Sequence, residues 1–214
     1  MKVFGFPLSP FVRKVHLVAA EKGVAVETVL GNPADPSPEF LAASPFRKIP
    51  ALQDGTFTLA DSTAIAVYID ALQPTPAIYP AEAKARATAT WFEEFADTIL
   101  TPAGGKVVFN RFVGPKFLGV PGDEAAAAQG EIELQPIFDW FETQAPVQGW
   151  LAGEFSIADI ACASVFRTLG YVGMEPDAAQ RPATAAWYDR VKARPAWQQI
   201  AAHEGAILAR FAGG

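Results

Sequence analysis

Residues 2–15, KVFGFPLSPFVRKV, decide how this chain is read. The first five read as a brief apolar strand. From Phe11 onward Val12, Val15, Val18 and Ala19 recur with a helical period, while Arg13, Lys14, Glu21 and Lys22 stay polar. That pattern predicts an amphipathic helix. Ser9 stands where an N-cap belongs, and Pro10 takes the first helical position, which needs no N–H. Gly23 suits the left-handed position just past the helix end. A serine here can simply cap its helix. Its hydroxyl can also donate to an anion, because a helix N-terminus favours negative charge. If that anion were a ligand thiolate, the spot would be an active site.

Outward from this stretch, residues 24–30 (VAVETVL) alternate apolar and polar positions and predict a second strand. A Pro-rich loop follows at 31–38, then a short helical turn at 39–43. Residues 50–55 (PALQDG) lead through Asp54-Gly55 into 56–60, which predicts a hairpin. Ile65, Tyr68, Ile69 and Leu72 fall at i, i+3, i+4 and i+7 of a helix. The order βαβ, then ββα, predicts a thioredoxin-like α/β domain, a small mixed sheet flanked by helices.

Gln73-Pro74-Thr75-Pro76 breaks the pattern and reads as a linker. Beyond it the strand signals vanish. Phe92, Phe95, Ala96 and Ile99 form one helix stripe; Leu134, Ile137, Phe138 and Phe141 form another, with Pro136 as an expected kink. Residues 102–122 are rich in Gly and Pro and are expected to be irregular, covering the core or lining a pocket with Phe109, Phe112 and Phe117. Ser156-Ile157-Ala158-Asp159 is a capping box with Phe155 and Ile160 at the hydrophobic staple positions. Further helices run through Trp187 and Val191, and through Ile200, Ile207, Leu208 and Phe211. The predicted organisation is an α/β domain at 1–73, a linker at 74–83 and an all-helical domain at 84–214.

Bulk properties narrow the function. Half of the 214 residues are apolar and 19% are charged, as in a globular protein. A net charge of −6 argues against a nucleic-acid partner, whose phosphates call for clustered Lys and Arg. No apolar run approaches the roughly 20 residues that span a bilayer, and the N-terminus lacks a secretory pattern. No membrane role and a cytoplasmic location are therefore expected. Cys162 is the single cysteine, so no internal disulfide forms. It sits among apolar residues of a helix and is expected to be inert. His16 and His203 lie far apart in sequence, which argues against a metal site.

Three motifs now coincide: Ser9-Pro10-Phe11-Val12-Arg13-Lys14-Val15 at the first helix, Lys48-Ile49-Pro50-Ala51-Leu52 entering the third strand, and Asp61-Ser62 opening the third helix. In this order and spacing, and with the Phe155–Ile160 box in the helical part, the chain resembles the glutathione S-transferase family over essentially its whole length. It is most similar to the serine-type members: the phi, tau and zeta classes and their bacterial relatives. The resemblance implies glutathione as co-substrate, no further cofactor, a hydrophobic electrophile as second substrate, a detoxifying role and a homodimer. It implies that Pro50 is cis, which would turn the backbone N–H and C=O of Ile49 outward to pair with an extended peptide ligand; an ordinary trans proline at a strand start is also permitted. Asp61 and Ser62 would meet the γ-glutamyl head, the carboxylate at the helix N-terminus and the ammonium at Asp61. Taken without that context, they form a good N-cap cluster.

By the same resemblance Ser9 would donate to the glutathione sulfur. A thiol ordinarily titrates near 8.5, so a donor aimed at sulfur raises the thiolate fraction at neutral pH. No covalent bond to Ser9 forms, and the absence of cysteine at this position excludes thiol-disulfide exchange through it. Phi-type relatives carry a His or Lys before the second helix to meet the glycyl carboxylate. This chain has Asp35-Pro36-Ser37-Pro38 there, so Lys48, or alternatively Arg47, is expected to take that contact. Phe46 matches the place where some classes insert an aromatic into the partner, or it is core. Phe11, Phe109, Phe112 and Tyr171 are the expected electrophile pocket between the domains. The same fold would also serve a glutathione-dependent isomerase, dehalogenase or peroxidase, or a non-catalytic ligand carrier or assembly module.

Overall fold

A computed structural model describes residues 1–212, with side chains through Arg210. Phe211, read into the last helix from its spacing, falls outside the described side chains. The N-terminal half contains β1 (Lys2–Phe4), α1 (Pro10–Glu21), β2 (Glu27–Val29), α2 (Pro38–Ala43), β3 (Ala51–Asp54), β4 (Phe57–Ala60) and α3 (Ser62–Leu72). The strands form one mixed sheet in the order β2-β1-β3-β4. β1 runs parallel to β2 and antiparallel to β3, and β3 runs antiparallel to β4. This is the expected thioredoxin-like arrangement.

β2 is shorter than its alternation predicts, because the chain is still closing α1 where the pattern begins. Gly23 turns at φ +66°, and the Val24 N–H returns to the Ala19 carbonyl at 2.8 Å. The hairpin falls where Asp54-Gly55 marked it. Asp54 pairs with Phe57, leaving Gly55 at φ +59° in a two-residue loop. Successive β1 side chains take opposite faces of the sheet. Val3 joins the main core with Val15 and Ile65, and Phe4 joins a smaller cluster with Phe40 under α2.

The C-terminal half holds α4 (Ala83–Phe95), α5 (Thr101–Val108), α6 (Glu124–Gln144), α7 (Ile157–Gly170), α8 (Pro182–Lys192) and α9 (Pro195–Ala212). Two π-helical stretches, Ala96–Leu100 and Phe109–Leu118, flank α5 and keep right-handed helical backbone at each junction. One continuous rod therefore runs from Ala83 to Leu118, and the expectation of an irregular segment at 102–122 is corrected over most of its length. Pro102 falls in the first turn of α5, just after a π stretch, where a missing N–H does least harm. Pro115 sits within the second π stretch. The wider π turn also shifts the apolar stripe. Leu100 is fully buried while Ile99, read as core from its spacing, is 46% exposed. Helix α6 continues through Pro136.

Charged positions of α1 depart from the amphipathic reading. Arg13, Lys14 and Lys22 are buried, because α1 is covered by α3 on one side and by α7 and α9 on another. Each buried charge has partners, as burial requires. In α7, Asp159 completes the expected box by accepting from the Ser156 N–H at 3.1 Å; it also takes the Leu151 N–H at 3.1 Å and the Trp187 indole N–H at 2.8 Å. Cys162 is buried, and desolvation pushes its thiol well up, as expected of an inert position. Among the described residues no helix is long and apolar enough to cross a membrane.

Candidate active site

Because β1 and β4 are each antiparallel to β3, they run in the same direction. Helix α1 follows the C-terminal end of β1, and α3 follows that of β4. The Ala51–Ala60 pair places Pro50 and Asp61 on the next rung of the ladder. Ser9, Pro50 and Asp61-Ser62 therefore lie toward the same end of the strands, where α1 and α3 begin and their N-termini favour anions.

Ser9 has the backbone of an N-cap, with φ −66° and ψ 133°, yet its side chain makes no capping bond. Its N–H donates to the Phe6 carbonyl at 2.9 Å, and its own carbonyl accepts from the Arg13 N–H at 2.9 Å. The hydroxyl is left without a partner among the described residues. It faces a cavity of about 380 Å³ whose wall is almost entirely apolar. Phe11, Ile49, Phe109, Phe112 and Tyr171 line the same cavity. Lys48, Pro50, Asp61, Ser62 and Phe46 lie outside its wall.

The Ile49–Pro50 bond is cis. Neither the N–H nor the C=O of Ile49 has a backbone partner among the described residues. The turn before it is pinned by Ser44, whose hydroxyl donates to the Lys48 carbonyl at 2.7 Å and accepts from the Lys48 N–H at 2.8 Å. Arg47, at φ +57°, and Lys48 are exposed, and neither side chain has a hydrogen-bond partner among the described residues. Phe46 is 87% exposed, so it is not a core residue of this half.

Asp61 caps α3. One carboxylate oxygen, Oδ1, accepts from the N–H groups of Thr63 at 2.9 Å and Ala64 at 3.1 Å. The other oxygen has no partner among the described residues. Behind it the Lys14 ammonium is held by Glu93 at 3.0 Å, Asp97 at 2.7 Å and the Thr63 hydroxyl at 3.1 Å. Burial raises the Asp97 carboxyl above its usual range against the pull of Lys14.

The cavity wall holds three other hydroxyls, and all are committed. Thr101 Oγ1 donates to the Ala96 carbonyl at 2.7 Å. Thr168 Oγ1 accepts from Arg13 at 2.8 Å and donates to the Ser164 carbonyl at 3.2 Å. The Tyr171 hydroxyl accepts from Arg13 at 2.7 Å and donates to Glu204 at 3.0 Å. Burial pushes the Tyr171 phenol up to about 12. Arg13 also binds Glu204 directly and holds the Leu8 carbonyl at 3.1 Å, one residue before Ser9. Sequence reading missed this network, since a charge in a helical period looks solvated. It also missed the adjacent Gly104 and Gly105 in the wall, although a glycine pair inside a helix is a visible oddity.

The arrangement can hold an extended backbone at Ile49, an anionic group at either helix N-terminus and a cation at Asp61. A glutathione S-transferase N-terminal domain model matches residues 3–77, and the C-terminal domain model matches 100–195. Glutathione S-transferase 3 of Zea mays is 34% identical over 209 residues, covering 94% of this chain and 93% of its own. The structure of glutathione S-transferase III in its apo form superposes with a TM-score of 0.79 at 34% identity, covering 94% of this chain and 95% of its own. Glutathione S-transferase-I bound with the ligand lactoylglutathione superposes with a TM-score of 0.82 at 26% identity, covering 94% of this chain and 98% of its own. The two domain matches, this identity over nearly the full length and the shared architecture show that the chain is an enzyme of the glutathione S-transferase family.

Proposed function

We propose that this transferase conjugates the thiolate of glutathione to hydrophobic electrophiles in a detoxifying role, with Ser9 donating a hydrogen bond to the sulfur. The observation that carries the reading is the uncommitted Ser9 hydroxyl at the N-terminus of α1, facing an apolar cavity shared with Ile49. Ile49 pairs with the cysteinyl backbone of the tripeptide beside cis-Pro50. Ser62 and the start of α3 take the γ-glutamyl carboxylate, and the free oxygen of Asp61 takes its ammonium. Lys48 supplies the cation for the glycyl carboxylate. The electrophile enters among Phe11, Phe109, Phe112 and Tyr171. The α/β half at 1–73 thus serves glutathione, and the helical half at 84–214 serves the second substrate. The exposure of Phe46 supports a role against a second copy in a cytoplasmic homodimer.

The thiolate attacks as a nucleophile while Ser9 and the helix dipole stabilise its charge. A hydrogen bond to a charged group contributes about 1.5–3 kcal/mol. Ser9→Ala should therefore lower kcat by about 10- to 100-fold with an aryl halide, while glutathione Kd stays within about threefold. Ultraviolet titration of bound glutathione should show the thiol titrating at higher pH in the variant. Unchanged turnover and an unchanged titration would remove Ser9 from the mechanism. Glutathione binding without turnover in the wild type would instead favour a ligand carrier.

A further inference from the structure

Helix α5 and the π stretch after it turn one face to the cavity: Thr101, Gly104, Gly105, Val108, Phe109 and Phe112. The spacing of the α5 positions is that of a single helix face, and Gly104 and Gly105 stand midway along its length. Glycine is a poor helix former, so two in succession need a reason. Gly104 has one in packing. A Cβ placed there would lie 3.0 Å from Leu169 Cδ2 on α7. Gly105 has none of that kind, because a Cβ placed there meets no atom of the described residues within 4 Å. Packing tolerates a side chain at Gly105 and helix propensity prefers one. What its absence provides is open cavity against a bare backbone.

The rest of the wall suits a flat, uncharged guest. Phe112 and Tyr171 both line the cavity and stack with ring centroids 5.0 Å apart. The Thr101, Thr168 and Tyr171 hydroxyls are bonded to protein groups, which leaves Ser9 for the sulfur. We propose that Gly105 is the specificity-determining residue of this cavity, its missing side chain leaving the slot that takes a flat, uncharged aromatic electrophile. The proposal rests on the glutathione-conjugating reading above. With an aryl halide, the sulfur–carbon bond forms at the ring, the carbon–halogen bond breaks, and the halide leaves with the bonding pair. The thiol proton has already passed to solvent, so no acid in the wall is needed.

The test compares wild type, Gly105→Ala and Gly105→Leu with three probes. These are unreactive 1,3-dinitrobenzene, 1-chloro-2,4-dinitrobenzene and the small electrophile iodomethane. Filling an apolar slot changes affinity by about tenfold or more, so Gly105→Leu should lose that much in dinitrobenzene binding and in kcat/KM for the chloro compound. Its glutathione Kd and its kcat/KM for iodomethane should stay within about twofold. Gly105→Ala should raise Tm by a few degrees and weaken dinitrobenzene binding more mildly, which keeps a reading if the leucine variant does not fold. Unchanged dinitrobenzene affinity in the variants, an equal loss on iodomethane, or no dinitrobenzene binding by the wild type would overturn the proposal. If the wild type binds glutathione and dinitrobenzene yet conjugates neither electrophile, the transferase reading falls, and the binding comparison still decides Gly105.

Discussion

Asp61 opens α3 with φ at +82°, a region that residues other than glycine enter at a cost of about 1–3 kcal/mol. Its carboxylate caps the helix through one oxygen, and the other has no partner among the described residues. Asp61→Asn separates the cap from the proposed ammonium contact. The amide oxygen still caps the helix, but no charge remains for an ammonium. Glutathione Kd should rise by about tenfold, the worth of a charge-assisted bond, while Tm stays nearly constant. Calorimetric titration beside a melting curve checks both parts, and an unchanged Kd would take the γ-glutamyl ammonium away from Asp61. The polar types at Ser9, Asp61 and Ser62 were legible in the sequence because helix starts have a local signature. The strained backbone of Asp61 was not, since an aspartate at a helix start reads as an N-cap, whose ordinary backbone is extended.

Elements were legible where one period ran undisturbed. α1, α3, the hairpin and α7 follow from spacing and capping alone. The rod from Ala83 to Leu118 does not, because π turns change the period in its middle and after α5. A reading tuned to a constant period loses phase at Ile99 and takes Pro102 and the glycines for a loop. The polar positions of α1 were misread for a different reason. That helix lies between the sheet and the helical half, so its charges have no solvent side. Arg13 therefore answers to α7 and α9: it meets Glu204, Thr168, the Ser164 carbonyl and Tyr171. Removing one member of a buried ion pair costs about 3–5 kcal/mol, whereas replacing both members with apolar residues costs far less. Arg13→Met should destabilise the protein by an amount in that range, and Glu204→Leu added to it should recover part of the loss. Urea unfolding of the single and double variants measures this, and strict additivity would mean that the pair is not coupled.

At the scale of the molecule, the seam between the halves carries a titration. His16 lies on α1 with its Nε2 3.3 Å from the Thr28 hydroxyl, and His203 and Glu204 of α9 face it. Burial, with repulsion from His203 added and attraction to Glu204 opposed, lowers its pKa to about 4. The unfolded chain, with an ordinary histidine near 6.5, then binds more protons than the folded one between those values. Stability from this group is complete above about pH 6.5 and falls as pH drops toward 4, with about 2 kcal/mol lost by pH 5. Asp159 acts in the opposite sense. Burial raises its pKa to about 6, so the folded chain binds the extra proton and gains about 1 kcal/mol on acidification to pH 5. The raised Asp97 carboxyl adds to that gain. The wild type should therefore show only a shallow decline between pH 6.5 and 5. His16→Asn removes the falling contribution and leaves the rising one, so its unfolding free energy should increase as pH drops across the same window. Urea melts at several pH values read the slope and not the absolute stability, which keeps the comparison clear of any packing loss that the substitution causes. Parallel profiles for the two proteins would mean that the histidine keeps its ordinary titration at the seam and that acid sensitivity arises elsewhere.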